Sequence, residues 1–140
     1  MSDSSAVDQL VVRLLVEALP AAQAIYRYGS AGTVYQREDS DVDLAVLAAR
    51  KIPLDELQRL SERLAAAMGR EVDLLDLRAL PVTLRVQIVL EGVRLWASAP
   101  ARAEAYETLV LSEYVRLNEE RREILNDIQQ RGQIYGNTGS

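Results

Sequence analysis

The sequence predicts an α+β fold in which a small mixed or antiparallel sheet is flanked by helices and a long helix ends the chain. Three observations carry this. Short runs of β-formers alternate with longer stretches whose apolar residues recur at helical spacing. The connection between the first two strand candidates is too short for an ordinary parallel crossover unless it holds a small helix, which disfavours a doubly wound parallel sheet. From about Ala101 to Arg131 a single helical stripe persists without a break.

The elements follow in order. Ser5-Ala6-Val7-Asp8 reads as a capping box with Asp in place of Glu, and Val7, Leu10, Val11, Leu14 and Leu15 follow at helical spacing until Pro20. Ala24 to Tyr28 is a short strand closed by Gly29-Ser30-Ala31-Gly32, and a polar stretch from Thr33 to Ser40 has room for a short helix. Val42, Leu44 and Val46 alternate with Asp41, Asp43 and Ala45, the pattern of a half-buried strand. Leu54, Leu57, Leu60, Leu64 and Met68 mark a helix between Pro53 and Gly69. Glu71 to Leu77 is the third strand. Pro81 opens a helix with Leu84, Ile88 and Val89 inward and Gly92 at its end, and Val93 to Trp96 is the fourth strand. The last helix carries Tyr106, Leu109, Val110, Tyr114, Leu117, Ile124, Leu125 and Ile128, and the terminal Tyr135 to Ser140 reads as frayed. Residues 5–98 are expected to form the core, with 99–140 a C-terminal helix and flexible tail packed on it in one domain.

With 140 residues, 49% of them hydrophobic and 26% charged, the chain is long enough for one core without disulfides. It has no His and no Cys, and Lys51 is its single lysine. This excludes cysteine nucleophiles, Ser-His-Asp triads and histidine or cysteine zinc sites. Catalysis is left to carboxylates, hydroxyls, arginines, backbone amides and a hard cation. The net charge of −5 argues against stand-alone nucleic-acid binding. No apolar run is long enough to span a membrane, and the N-terminus does not read as a signal peptide, so a cytoplasmic protein is expected.

The informative segment is Gly29-Ser30, ten residues, then Asp41-Val42-Asp43-Leu44. On a strand Asp41 and Asp43 point to one face, their Cα atoms about 6–7 Å apart. Carboxylates that close resist joint ionisation unless a cation lies between them, and magnesium suits an all-oxygen site that also holds phosphates. An Asp-x-Asp by itself is far more often just the wet face of an edge strand. A Gly-Ser at a strand end lets backbone amides and a hydroxyl approach phosphate, though alone it is only a turn signal. Asp73, in Arg70-Glu71-Val72-Asp73-Leu74-Leu75-Asp76, would add a third carboxylate from a neighbouring strand. Asp73 and Asp76 have opposite parity, so only one joins the cluster. Asp73 is assigned to it as the residue deeper in the apolar run, and Asp76 is read as a strand-end or turn residue.

Tyr28-Gly29-Ser30, then Ser40-Asp41-Val42-Asp43-Leu44, with the Val72 to Leu77 strand, Leu80-Pro81, Leu84-Arg85 and Gly92, resembles the DNA polymerase β-like nucleotidyltransferase superfamily. More closely it resembles the minimal nucleotidyltransferases of the MntA antitoxin type, over roughly Ile25 to Trp96. Where many relatives have Arg after Gly-Ser, this chain has Ala31. The resemblance implies a nucleotidyltransferase fold and nucleotidyl transfer with two magnesium ions. In it Gly29 and Ser30 hold the triphosphate of ATP, Asp41 and Asp43 ligate the metals, and Asp73 ligates the second metal and helps to activate the acceptor. Such a pair of ions stabilises both the attacking and the leaving oxygen of an in-line displacement.

The resemblance further implies a partner: a cognate HEPN-domain RNase toxin of the HepT type, held in a hetero-oligomer and silenced by AMP on a tyrosine hydroxyl. A non-catalytic antitoxin that masks its partner, and a small-molecule adenylyltransferase of the aminoglycoside type, are the alternatives. Small size argues against the second of these, because only one helix and a tail remain after Trp96. Arg37, Arg27, Tyr26 and Tyr28 lie near the motif, but solvated loop charge or strand packing accounts for each. A final helix of about 30 residues would be about 45 Å long, more than such a domain buries, so part of it is expected to project toward a partner.

Overall fold

The computed structural model describes residues 3–28 and 42–139. Among the described residues four helices and four strands follow in the order α1 (Asp3–Ala18), β1 (Ala22–Tyr28), β2 (Val42–Ala48), α2 (Leu54–Met68), β3 (Val72–Asp76), α3 (Val82–Glu91), β4 (Val93–Ala97) and α4 (Pro100–Gly139), with a 3₁₀ turn at Leu77–Ala79. The sheet order is β3-β2-β1-β4. β1 pairs antiparallel with β2 and β4, and β2 pairs parallel with β3, so the sheet is mixed as expected.

Side-chain alternation explains why two cores form. Ile25, Val42, Leu44, Val46 and Leu74 project from one face against Val11 and Leu15 of α1 and Leu60 and Leu64 of α2. Ala24, Tyr26, Ala45 and Leu47 project from the other against Ile88 of α3 and Ala103 of α4. β2 is therefore covered on both sides, and six of its seven residues are buried rather than alternate ones. The half-buried expectation missed this because Ala45 and Leu47 occupy the face that alternation assigned to solvent. Fully burying a residue such as Leu44 or Leu15 is worth about 1.5–3 kcal/mol.

Several boundaries differ from the sequence reading. α1 begins at Asp3, so Ser5 lies inside the helix and not at its cap. β3 stops at Asp76, whose carboxylate bends the chain into the 3₁₀ turn by accepting from the Arg78 amide at 3.1 Å. α3 buries Val86 beside Ile88, while Leu84 and Val89 are only half-buried. α2 begins after Pro53 and ends at Gly69 in the left-handed conformation, φ 67°, both as expected. α4 stays helical to Gly139 instead of fraying from Tyr135, since no proline after Pro100 interrupts its backbone hydrogen bonds. No helix among the described residues is long and apolar enough to cross a membrane.

Candidate active site

The register of the sheet brings two predicted carboxylates together. Asp43 and Asp73 are direct partners across the parallel β2–β3 ladder, and Tyr28 is the partner of Asp43 across the antiparallel β1–β2 ladder. Neighbouring strands lie about 4.8 Å apart, so all three side chains leave the same face within one row. The row sits where β1 ends and β2 and β3 begin. Val42 and Leu44, both buried, hold Asp43 in place from the opposite face. Asp43 itself is half-buried and Asp73 is exposed.

The burial order of the two β3 carboxylates is the reverse of the expectation. Asp76 is the one that is buried, 3% exposed, on the face packed against α1 and α2. It takes no part in the row because its oxygens are engaged elsewhere: one accepts from the Ile52 amide at 2.8 Å and the other from the Arg78 amide. Neighbouring apolar residues point to Asp73, whereas the burial of Asp76 comes from the β2–α2 loop, distant in sequence, that folds back onto it. Its reading as a strand-end and turn residue agrees with the structure.

Tyr28, a strand-former by its sequence, sits in the structure beside the acidic pair. Burial first, then the negative charges of Asp73 and Asp43, hold its phenol above the ordinary value of 10. A neutral phenol in this row is a hydrogen-bond donor toward carboxylate or phosphate oxygens. Its signal in the sequence was its position just before Gly29, where the strand delivers the chain to the motif loop. Tyr26 and Arg27 take structural roles instead. The Tyr26 hydroxyl donates to Glu107 of α4 at 2.7 Å, and Arg27 forms a 2.6 Å ion pair with Asp8 of α1.

Gly29, Ser30 and Asp41, together with Ala31, Arg37 and the Thr33–Ser40 stretch, lie outside the described residues. Among the described residues no cluster of three or more His, Cys, Asp or Glu side chains is assembled to hold a metal. What they provide is an oxygen-only pair, Asp43 and Asp73, in a chain without histidine or cysteine. That donor chemistry fits a hard divalent cation and no soft one.

Residues 13–100, well over half of the chain, match the family model for the polymerase beta nucleotidyltransferase domain. The chain belongs to this family. Among curated proteins, the protein adenylyltransferase MntA of Shewanella oneidensis is 37% identical over 120 residues, covering 84% of each chain. Solved structures agree with the fold. A toxin–antitoxin complex with AMP-PNP superposes with a TM-score of 0.76 at 34% identity, covering 87% of this nucleotidyltransferase and 98% of the solved chain. A Shewanella oneidensis MNT antitoxin in complex with tri-AMPylated HEPN toxin gives 0.74 at 32% identity, covering 89% and 98%.

Proposed function

We propose that this nucleotidyltransferase is an antitoxin that transfers AMP from ATP to a tyrosine hydroxyl of a cognate HEPN RNase toxin and so neutralises it. The observation that carries the reading is the in-register Asp43–Asp73 pair at the strand ends, in a chain 37% identical to a protein adenylyltransferase. Asp43 and Asp73 would hold magnesium together with Asp41, in the two-ion arrangement of the family, and Gly29 and Ser30 would hold the triphosphate. Magnesium, when bound, supplies neutralisation of phosphate charge and acidification of the acceptor hydroxyl.

The chain's own residues do the rest. Asp43 and Asp73 are in register on adjacent strands and leave the same face of the sheet, so their strand positions are set before charge develops there. Tyr28 closes the row on the β1 side and can orient a carboxylate or phosphate oxygen through its hydroxyl. No histidine base is required, and the chain has none. The fully backed strand under Asp43 keeps it from drifting, which matters because positioning supplies much of the rate in such transfers. The setting is the cytoplasm, where ATP and a toxin of the same cell meet.

The test is incubation of the chain with labelled ATP, magnesium and HEPN toxin, followed by intact-mass analysis of the toxin. Addition of AMP units that disappears with Asp41→Asn or Asp43→Asn is the expected result. Neutralisation of the toxin that persists in both variants, without label on the toxin, would make the chain a masking binder instead.

A further inference from the structure

The distal half of α4 carries an apolar seam that the fold leaves uncovered. Val110, Tyr114, Leu117, Arg121, Ile124 and Ile128 recur at alternating spacings of four and three, the repeat of a helix packed along another helix. At its start the seam belongs to the core, with Val110 1% exposed. At Tyr114 and Leu117 it leaves the domain through a groove that α4 lines as far as Ile124 and that Thr83, at the start of α3, lines from the other side. From there Ile124 and Ile128 are 59% and 57% exposed, and every residue from Glu119 to Arg131 is exposed. The seam is thus a packed interface that continues past the end of its intramolecular partner.

One flank of the seam carries Glu113, Glu120 and Asp127 at successive seven-residue steps, the last two ion-paired along the helix to Arg116 and Arg131, while the other carries the neutral Leu111, Asn118 and Leu125. This asymmetry selects the occupant. Two copies paired parallel through their seams would each place a domain in the space between the helices, because the domain itself sits on the seam up to Leu117. Two copies paired antiparallel would set Glu113, Glu120 and Asp127 of one against the same carboxylates of the other, a contact that offers no new ion pair. A helix of another protein, with an apolar stripe and lysine or arginine beside it, meets neither obstacle.

We infer that the seam from Leu117 to Ile128 docks against such a helix of the HEPN toxin, holding the toxin while its tyrosine reaches the site. The inference rests on the toxin-directed reading above. It adds the surface that recognises the substrate, some distance from the residues that act on it.

Ile124→Glu with Ile128→Glu tests this on the full chain, since both side chains are exposed and the helix needs neither to fold. Asn126→Glu with Gln130→Glu places the same added charge on the opposite face as a control. Binding of purified HEPN toxin is measured by titration calorimetry, and AMP transfer by initial rates. The expected result is affinity for the toxin at least roughly tenfold weaker for the seam variant and unchanged for the control, with KM for the toxin raised and kcat retained. Glu120→Lys with Asp127→Lys weakens binding in the same direction. Wild-type affinity in the seam variant, while the wild-type chain binds and modifies the toxin, overturns the docking surface and leaves the activity standing. A wild-type chain that neither binds nor modifies the toxin overturns both. A dimer in light scattering that the seam variant dissolves would assign the seam to a second copy and also overturn the inference.

Discussion

Asp73 and Asp76 stand three residues apart on one strand, and their surroundings give them opposite duties. Asp76 accepts the Ile52 amide in a buried setting, so Asp76→Ala leaves that N–H without a partner, and a stability loss of about 2–3 kcal/mol is expected by urea unfolding. Asp73 is exposed and faces the like charge of Asp43, so Asp73→Asn should leave stability equal or slightly higher. Its transfer rate, by contrast, should fall by roughly 100-fold or more. A rate that survives Asp73→Asn would remove the residue from the site. Tyr26 offers a separate check through pH. Burial, its hydrogen bond to Glu107 and the Glu107 charge raise its phenol above 10, so the folded state favours the neutral form. The stability this gives is complete below pH 10, the unfolded value, and is lost as pH rises beyond it. Wild type should exceed Tyr26→Phe by about 1–2 kcal/mol near pH 8, and that margin should shrink steadily above pH ~10.

At the level of elements, the segments with clear local punctuation were legible. α2 lies between Pro53 and Gly69, and no neighbour had to be known to place it. The strand through Val42, Leu44 and Val46 was equally plain, as was its parity with Asp43. What stayed hidden was decided by partners distant in sequence: the second cover over Ala45 and Leu47, the Ile52 amide beneath Asp76, and Tyr28 across from Asp43. Gly29 and Ser30, proposed to hold the triphosphate, are legible only as a motif. Gly92 shows the same limit. In the sequence it is a helix stop, whereas in the fold a Cβ there would collide with the Ile88 carbonyl and lie 2.9 Å from that of Arg27. Both are backbone atoms, and Arg27 belongs to the strand that pairs with β4. Gly92→Ala must therefore push α3 or β4 away from β1, with an expected loss of about 2–3 kcal/mol in chemical unfolding. Gly69→Ala meets no atom within 4 Å and should cost only the left-handed strain, about 1 kcal/mol.

For the molecule as a whole, α4 is two structures in one helix. At 1.5 Å per residue its 40 residues extend about 60 Å, far beyond the sheet it covers. Its first part closes the second core with Ala103 and also buries Val110, and Glu107 there joins Tyr26 to Arg94 of β4 through contacts of 2.7 and 2.8 Å. A division between residues 98 and 99 would strip that cover from Tyr26 and Leu47. Losing the burial of Val110 and half-buried Tyr106, plus the Glu107 contacts, removes several kcal/mol from a domain whose total stability is typically 5–15 kcal/mol. A chain ending at Ser98 should therefore fail to give a cooperative thermal transition. A chain ending at Asn118 keeps Ala103 and Val110, the residues of α4 that are buried among those described, and should melt within about 3 °C of the full protein. The two truncations separate folding from recognition: the Asn118 chain should retain its fold and its carboxylate row while losing affinity for the toxin. If it melts far below the full chain, the distal helix is part of the fold and not a surface held out for a partner.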